Sequence, residues 1–362
     1  MHRPPVAIER LSREELISPA YHRLAGAAFG VANWERHVRY CLWLYGENPW
    51  HRRVERLPIY VCRDGDELIG QLAVIPAPVW LKETRLDAAW AVDLFVLPAY
   101  RRQQVAGQLL MAALRDFPLL VSLGQSDAGR QVVIKNGWQV AGSMSHYRRL
   151  LRPWRCITKK ALDTFGCTAA AERIFSVPAV HPPSLPSGVT MEPVTSFAAI
   201  ADQTTDLRGA GSGPRPMRNA AFMQWRYCDH PLFRYTVRRI SIESHGEAYA
   251  VWRHSDDGLW RRAFLVDVVY PEGLPAGALA QITAAVSASV HAEGAEVFHC
   301  RTNDPAILNA LGGGFMSTTE AGPQFLYHFS TGAAVPQVPV NRWRLFAGDC
   351  DVDTYMARQA RE

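Results

Sequence analysis

No run of the chain comes near the roughly 18–20 consecutive apolar residues that a membrane span requires. The opening residues, MHRPPVAIERLSREEL, hold no apolar block long enough for a secretory core segment, so the cytoplasm is the expected compartment. Cysteine is sparse and unpatterned. The seven (Cys41, Cys62, Cys156, Cys167, Cys228, Cys300, Cys350) are odd in number and never form a C-x-x-C pair, which argues against a disulfide framework and a thiolate zinc site. Reduced thiols and no metal are expected. Strong charge of either sign is also missing: a formal +5 and a pI near 8.9 suit an anionic ligand but are modest for 362 residues. The densest basic run, residues 148–160 (RRLLRPWRCITKK), holds six Arg or Lys without the aromatic interleaving or docking motif of a nucleic-acid surface. It reads as a solvated helix face or linker, and no nucleic-acid partner is expected.

What the chain does have is length and a globular composition. With 362 residues, 48% hydrophobic and 20% charged, it can bury two ordinary cores, and it exceeds the size at which single cores stop growing. Internal similarity supports two copies. Trp43, Tyr45 and Pro49 spell W-x-Y-x-x-x-P, and Trp225, Tyr227 and Pro231 repeat it. The apolar run around Val92, Asp93 and Leu94 is echoed around Val266, Asp267 and Val268, each followed by a proline, Pro98 or Pro271. Then Asp127 leads through a helical stretch to Gly137-Trp138, and Asp304 leads to Gly314-Phe315 at the same separation. Asp304-Pro305 is a helix cap with proline in the first turn, and Asp127-Ala128 is expected to do the same job.

In the first copy the expected order is a strand near Val6, helices across residues 18–45 and a hairpin over 59–79 turning at Arg63-Asp64-Gly65-Asp66. A long strand at 89–97, a helix at 103–116, a strand at 119–123, a helix at 128–135 and closing strands to 150 complete it. This describes an α/β fold, strictly α+β with a mixed sheet, and the second copy repeats it. The expected domains are residues 1–155 and 189–345, a proline-rich linker over 156–188 (with SVPAVHPPSLPSG) and a tail over 346–362 that is acidic and then basic.

Residues 93–114, DLFVLPAYRRQQVAGQLLMAAL, resemble the Gcn5-related N-acetyltransferase (GNAT) superfamily, in which a strand ending V-x-P is followed by R/Q-x-x-G-x-G/A and a long helix. Val96 and Pro98 end the strand, Arg101 fills the R/Q position and Ala106 the last small one. Gln104 stands where the first glycine is usual, so its backbone must adopt a conformation that glycine reaches freely. Independently of the family, a turn that opens a helix presents unpaired N–H groups and a positive dipole end, which suits a pyrophosphate. The resemblance implies two tandem GNAT-like domains. It also implies an acyl-CoA cosubstrate, acetyl-CoA in the first instance, held by Arg101, Arg102, Gln103, Gln104, Val105, Ala106, Gly107 and Gln108, with Leu94, Phe95 and Val96 pairing along its pantetheine arm. The second copy reads EGLPAGALAQITAAV after Pro271 and has no Arg or Gln at the phosphate position, so it is expected not to bind CoA.

Acyl transfer to an amine needs a base for the ammonium proton and an acid for the leaving thiolate. Asp93 is the best-placed carboxylate for the base, although its recurrence as Asp267 also fits a structural role. The resemblance puts an acidic tyrosine four residues before Gly137, where this chain has Val133. Tyr100, Ser126, His146 and Tyr147 are weaker acid or base candidates. The segment 343–353 (WRLFAGDCDVD), with Asp349, Asp351 and Asp353, resembles the tail of GNAT-like proteins of bacterial polysaccharide biosynthesis and reads as solvated or helix-capping. The expected function is direct transfer of an acyl group from CoA to a small-molecule primary amine, such as an amino sugar, in a ternary complex. The competing reading is a non-catalytic CoA-binding sensor or scaffold. The sequence does not specify an oligomeric state.

Overall fold

The computed structural model describes residues 7–51, 55–167, 175, 180–200, 202–209, 214–256, 259–318, 322–330 and 342–350. In chain order its strands are β1 (Ile8–Ser12), β2 (Arg56–Asp64), β3 (Glu67–Pro76), β4 (Val79–Leu81), β5 (Thr84–Leu86), β6 (Ala88–Val96), β7 (Leu119–Leu123), β8 (Gln139–Ser143) and β9 (Ser145–Leu150). There follow β10 (Val189–Pro193), β11 (Arg215–Pro216), β12 (Thr236–Ile242), β13 (Gly246–Ser255), β14 (Arg262–Val269), β15 (Val297–Thr302), β16 (Met316–Ser317) and β17 (Gln324–Phe329). They build two seven-stranded mixed sheets, as the α/β reading requires. The chain divides into two compact units: residues 1–142, 230–232 and 323–339 make the first, and residues 143–229, 233–322 and 340–362 the second.

The first sheet has the order β1-β2-β3-β6-β7-β17-β8. Its hairpin β2–β3 turns at Gly65, whose φ of 59° is a left-handed conformation that costs glycine nothing. Helix Val105–Asp116 sets Val105, Leu109, Leu110, Ala113 and Leu114 on one face, at the 3.6-residue period, and packs them on Tyr60, Leu72, Val74, Ala89 and Leu120. Each fully buried leucine there contributes about 1.5–3 kcal/mol.

The second sheet has the order β10-β12-β13-β14-β15-β9-β16. Helix Ala276–Ala292 buries Leu279, Ile282, Val286 and Val290 against Trp252, Leu265 and Phe298. Both sheets share one arrangement, an antiparallel meander leading to a single parallel pair, β6–β7 in one and β14–β15 in the other. A crossover helix joins the members of each parallel pair.

The units do not follow the expected boundaries. β9 pairs antiparallel with β15 and so belongs to the second unit, whereas β17 pairs antiparallel with β7 in the first. Each sheet therefore takes in, next to its edge strand, a strand from the other half of the sequence. Across the start of the expected linker, helix Pro153–Thr164 begins with proline in its first turn and fastens to the second unit. Its Lys159 Nζ and Arg155 Nε donate to the buried Glu296 carboxylate at 2.8 and 3.0 Å. Burial alone would raise the Glu296 carboxyl, but these two cations and the Arg261 N–H hold it below its ordinary range.

The described part of the tail is not solvated. Phe346 is fully buried in the second core, and Asp349 ends a short 3₁₀ turn (Ala347–Asp349) with 4% exposure. Gly348 allows this close approach, since a Cβ there would fall 2.3 Å from the Tyr227 hydroxyl. Asp351 and Asp353 lie outside the described residues. A smaller correction concerns the paired helix caps. Asp304 caps Pro305–Ala310 through its side chain, but the cap of Asp127–Lys135 is Ser126, one residue earlier than its counterpart suggested.

Candidate active site

Strand β6 carries one of the register shifts of the first sheet. Its register against β3 shifts between the pairs Gln71–Phe95 and Ala73–Val92, a bulge that takes in Asp93 with φ 54°. A non-glycine residue in this region is uncommon and is held there by its surroundings, a pattern concentrated at functional positions. Asp93 Oδ2 accepts the Tyr45 hydroxyl at 2.7 Å, and the Asp93 carbonyl accepts Gln71 Nε2 at 3.2 Å. Asp93 is half-buried and has no ion pair among the described residues.

Two phenols flank this carboxylate. Tyr45 sits in the π-helical turn Leu42–Gly46, so the extra residue of that turn aims the W-x-Y tyrosine at β6. Tyr21, 1% exposed, lies beside Gln71 and Asp93. Its hydroxyl is held well above the usual tyrosine range by burial, and then by the nearby Cys41 and Asp93, so it stays protonated. The π-helical turn Gln224–Cys228 of the second unit aims Tyr227 at Asp267 in the same way, also at 2.7 Å. There the resemblance ends. Asp267 is fully buried and is also bound by Arg218 Nε at 2.6 Å and Arg208 Nη2 at 3.2 Å. Arg218 in turn pairs with Asp349. The second aspartate is neutralised inside a core; the first is not.

On its other edge β6 pairs in parallel with β7 only from Ala88 to Trp90, against Leu119 to Val121. Ser122 Oγ donates to the Ala91 carbonyl at 3.0 Å, and β6 then runs on to Val96 with no described strand paired on that side. Leu94, Phe95 and Val96 thus border an open edge on which an extended ligand can pair like a strand. Beyond Val96 the chain makes a 3₁₀ turn, Pro98–Tyr100, and enters helix Val105–Asp116. Arg102 (φ 65°) and Gln104 (φ 61°, ψ 9°) are both left-handed, so Gln104 does take the conformation that glycine supplies elsewhere. The residues 101–104 are exposed, with the first N–H groups of the helix beside them. Arg101 Nε donates to the Val96 carbonyl at 3.2 Å, and the guanidinium lies 6.0 Å over the Phe95 ring, which ties the turn to the strand end. Gly107 faces Asn136, where a Cβ would come within 2.7 Å of Oδ1.

Because Gln104 holds a conformation costing a non-glycine residue about 1–2 kcal/mol, Gln104→Gly is expected to stabilise the first unit. Greater chain freedom when unfolded offsets part of the gain, leaving about 0.5–1 kcal/mol. Urea unfolding of the two proteins side by side measures this, and a less stable glycine variant would show that the strain is not there.

The remaining sequence candidates scatter. Tyr100 donates to Asp64 at 2.8 Å, Ser126 caps its helix, and Val133 is buried in the first core. His146 and Tyr147 stand on β9 in the second unit and do not join Asp93. Tyr45, Tyr21 and Gln71 were not singled out for chemistry in the sequence. The recurrence of the W-x-Y tyrosine together with the strand aspartate in both halves was the available signal. A cavity of about 200 Å³ in the first unit lies beside Ala88, at the far end of β6 from Asp93, and takes no part in this cluster.

Residues 10–118 match the family model of the acetyltransferase (GNAT) domain. That stretch carries β6, the turn and helix Val105–Asp116, and it makes the protein an acetyltransferase by class. The fold is shared with solved structures. A GCN5-related N-acetyltransferase from Anabaena variabilis is 15% identical with a TM-score of 0.55, covering 90% of this chain and 73% of that one. A GCN5-related N-acetyltransferase from Kribbella flavida is 14% identical with a TM-score of 0.56, covering 90% and 71%. No curated protein matches the chain.

Proposed function

We propose that the protein transfers an acyl group, acetyl in the first instance, from CoA directly to a small-molecule primary amine, and that it does so in its first unit. One observation carries this reading: β6 outruns its parallel partner beside a helix start whose turn holds Arg102 and Gln104 in left-handed conformations. The helix N–H groups, with Arg101, Arg102 and Gln103 to Gln108, receive the CoA pyrophosphate. Leu94, Phe95 and Val96 pair with the pantetheine arm. Asp93 accepts the ammonium proton of the acceptor, held by Tyr45 and by the bulge. The tail resemblance favours an amino sugar as acceptor. Among the described residues no helix is long and apolar enough to cross a membrane.

The two halves are, on this reading, tandem GNAT-like copies of which the second has lost CoA. Its strand aspartate is closed off by arginines, and the turn before its long helix carries Glu272, paired with Arg344, and no Arg or Gln at the phosphate position. Arg101→Ala is expected to weaken acetyl-CoA binding about 10- to 100-fold, the scale of a charge-assisted hydrogen bond. Calorimetric titration of the folded variant reads this, and an unchanged Kd places the phosphates elsewhere. Val133, in place of a tyrosine acid, favours the second reading of a CoA-binding sensor. A thiol-release assay over a panel of primary amines decides between them: no released CoA with any amine, in protein that binds acetyl-CoA, supports the sensor.

A further inference from the structure

The second sheet has an unused face. Period-2 alternation sends Tyr147, Ala263, Leu265, Phe298 and Cys300 toward helix Ala276–Ala292, where they join the apolar core. Their neighbours on the same strands face the other way. There β9, β13, β14 and β15, closed at one side by helix Pro153–Thr164, surround a cavity of about 510 Å³ lying wholly in the second unit. A volume of this size suits a small molecule.

Its lining is one-sided in charge. Arg148, Lys160, Arg253, Arg262 and Arg301 all border the cavity, and no Asp or Glu does among the described residues. On the same helix Arg155 and Lys159 are met by the buried Glu296, and Lys160 Nζ lies 3.1 Å from Asp163 Oδ2, a carboxylate that does not border the cavity. The cations rest on aromatic supports: Arg253 lies 4.9 Å over Phe264, and Arg262 lies 6.0 Å over Trp260. Phe264 stacks on His299 at 4.9 Å, and His299 Nδ1 is 3.0 Å from His146 Nε2. Arg262 Nε and His299 Nε2 are buried here without a hydrogen-bond partner among the described residues. His299 also reports the local field. Its pKa is pushed down to about 3 by burial, and then by His146, Arg262, Arg301 and Arg148. Like charges gathered in a concavity repel one another and draw in a counter-charge.

We propose that this cavity binds a small polyanion carrying two or more phosphate groups, with Arg148, Lys160, Arg262 and Arg301 as its cationic contacts. The site is separate from the Arg101 turn and does not depend on CoA binding there. Two sources of such phosphates are a free polyphosphate or phosphate ester and the phosphates of CoA itself. Calorimetric titration of the full chain with inorganic tripolyphosphate, first alone and then after saturation with CoA, tells them apart.

Saturable binding that persists in the CoA-saturated protein is expected if the ligand is a free phosphate compound. Loss of the tripolyphosphate signal in wild type, together with a second CoA equivalent that survives Arg101→Ala, assigns the site to CoA phosphates. In either case the double variant Arg148→Glu, Lys160→Glu is expected to weaken the cavity binding at least tenfold, and Arg262→Gln to weaken it likewise. Arg148 and Lys160 are exposed, so their replacement leaves the core intact even if Arg262→Gln unfolds. No saturable binding of either probe beyond the Arg101 site, or binding indifferent to the double variant, overturns the proposal.

Discussion

Asp93→Asn is expected to lower kcat by about 10²–10⁴-fold, the range that a positioned base contributes, while the Kd for acetyl-CoA changes by less than about threefold. The carboxylate stands on the strand that borders the open edge, so on the function proposed above it serves the amine and leaves the phosphates and the adenine end of the cosubstrate to the Arg101 turn. Asparagine keeps the volume and can still accept from the Tyr45 hydroxyl, so the bulge and the φ of 54° are retained. Only proton acceptance is removed. Tyr45→Phe provides the comparison: it leaves the carboxylate but frees its rotation, so the loss in kcat should be smaller, about tenfold. Steady-state kinetics with the best amine of the panel, with affinity measured separately, reads both. An Asp93→Asn protein that turns over at the wild-type rate would make this aspartate the structural counterpart of Asp267 and nothing more.

Much of this site could be read from the sequence because its physics is local. V-x-P ends a strand, the residues after it open a helix, and the amphipathic period from Val105 to Leu114 can be satisfied only by packing on a sheet. The repeated tyrosine, aspartate and cap-to-glycine spacings marked both halves for the same reason: each is set within about ten residues of chain. What could not be read was long-range pairing. β8 and β9 look like a hairpin closing the first copy, yet β9 bonds to β15, some 150 residues later, and β17 takes the expected place beside β7. Alternation specifies that a strand has two faces and says nothing about its partner. Asp349 misled for a related reason. A run of alternating carboxylates reads as solvated unless a buried cation waits for it, and Arg218 lies 131 residues away in sequence. The basic run at 148–160 reads as a solvated face or linker for the same reason, yet it is split between a strand and a helix, and two of its cations, Arg148 and Lys160, border the anionic-ligand cavity proposed above.

Asp267→Ala is expected to destabilise the second unit by about 3–5 kcal/mol, the cost of leaving buried charge without its partner. The carboxylate is fully buried and accepts from Arg218, Arg208 and Tyr227, so its removal leaves the buried Arg208 guanidinium without its carboxylate and Arg218 with Asp349 alone. Burial by itself would raise the Asp267 carboxyl, but Arg218 and then Arg208, helped by the Tyr227 hydrogen bond, hold it below the ordinary range. The sign of the pH effect follows. A folded pKa below the unfolded value of about 3.9 means that the stabilisation is complete above that value and is lost as pH falls through the folded one, where the unfolded chain binds the extra proton. Asp349 works in the opposite direction: burial, and the charge of Asp267 beside it, raise its carboxyl despite Arg218. Ionising Asp349 therefore costs stability as pH rises from the unfolded value through the folded one. Asp349→Asn, which keeps a hydrogen-bonding group in the buried site, is accordingly expected to cost much less than Asp267→Ala. Urea denaturation at pH 7, followed by hydrogen exchange of the β14 and β15 amides so that the second unit is read by itself, measures both variants. Equal midpoints for wild type and Asp267→Ala, or a larger loss for Asp349→Asn than for Asp267→Ala, would show that the stabilising charge is not where these arginines converge.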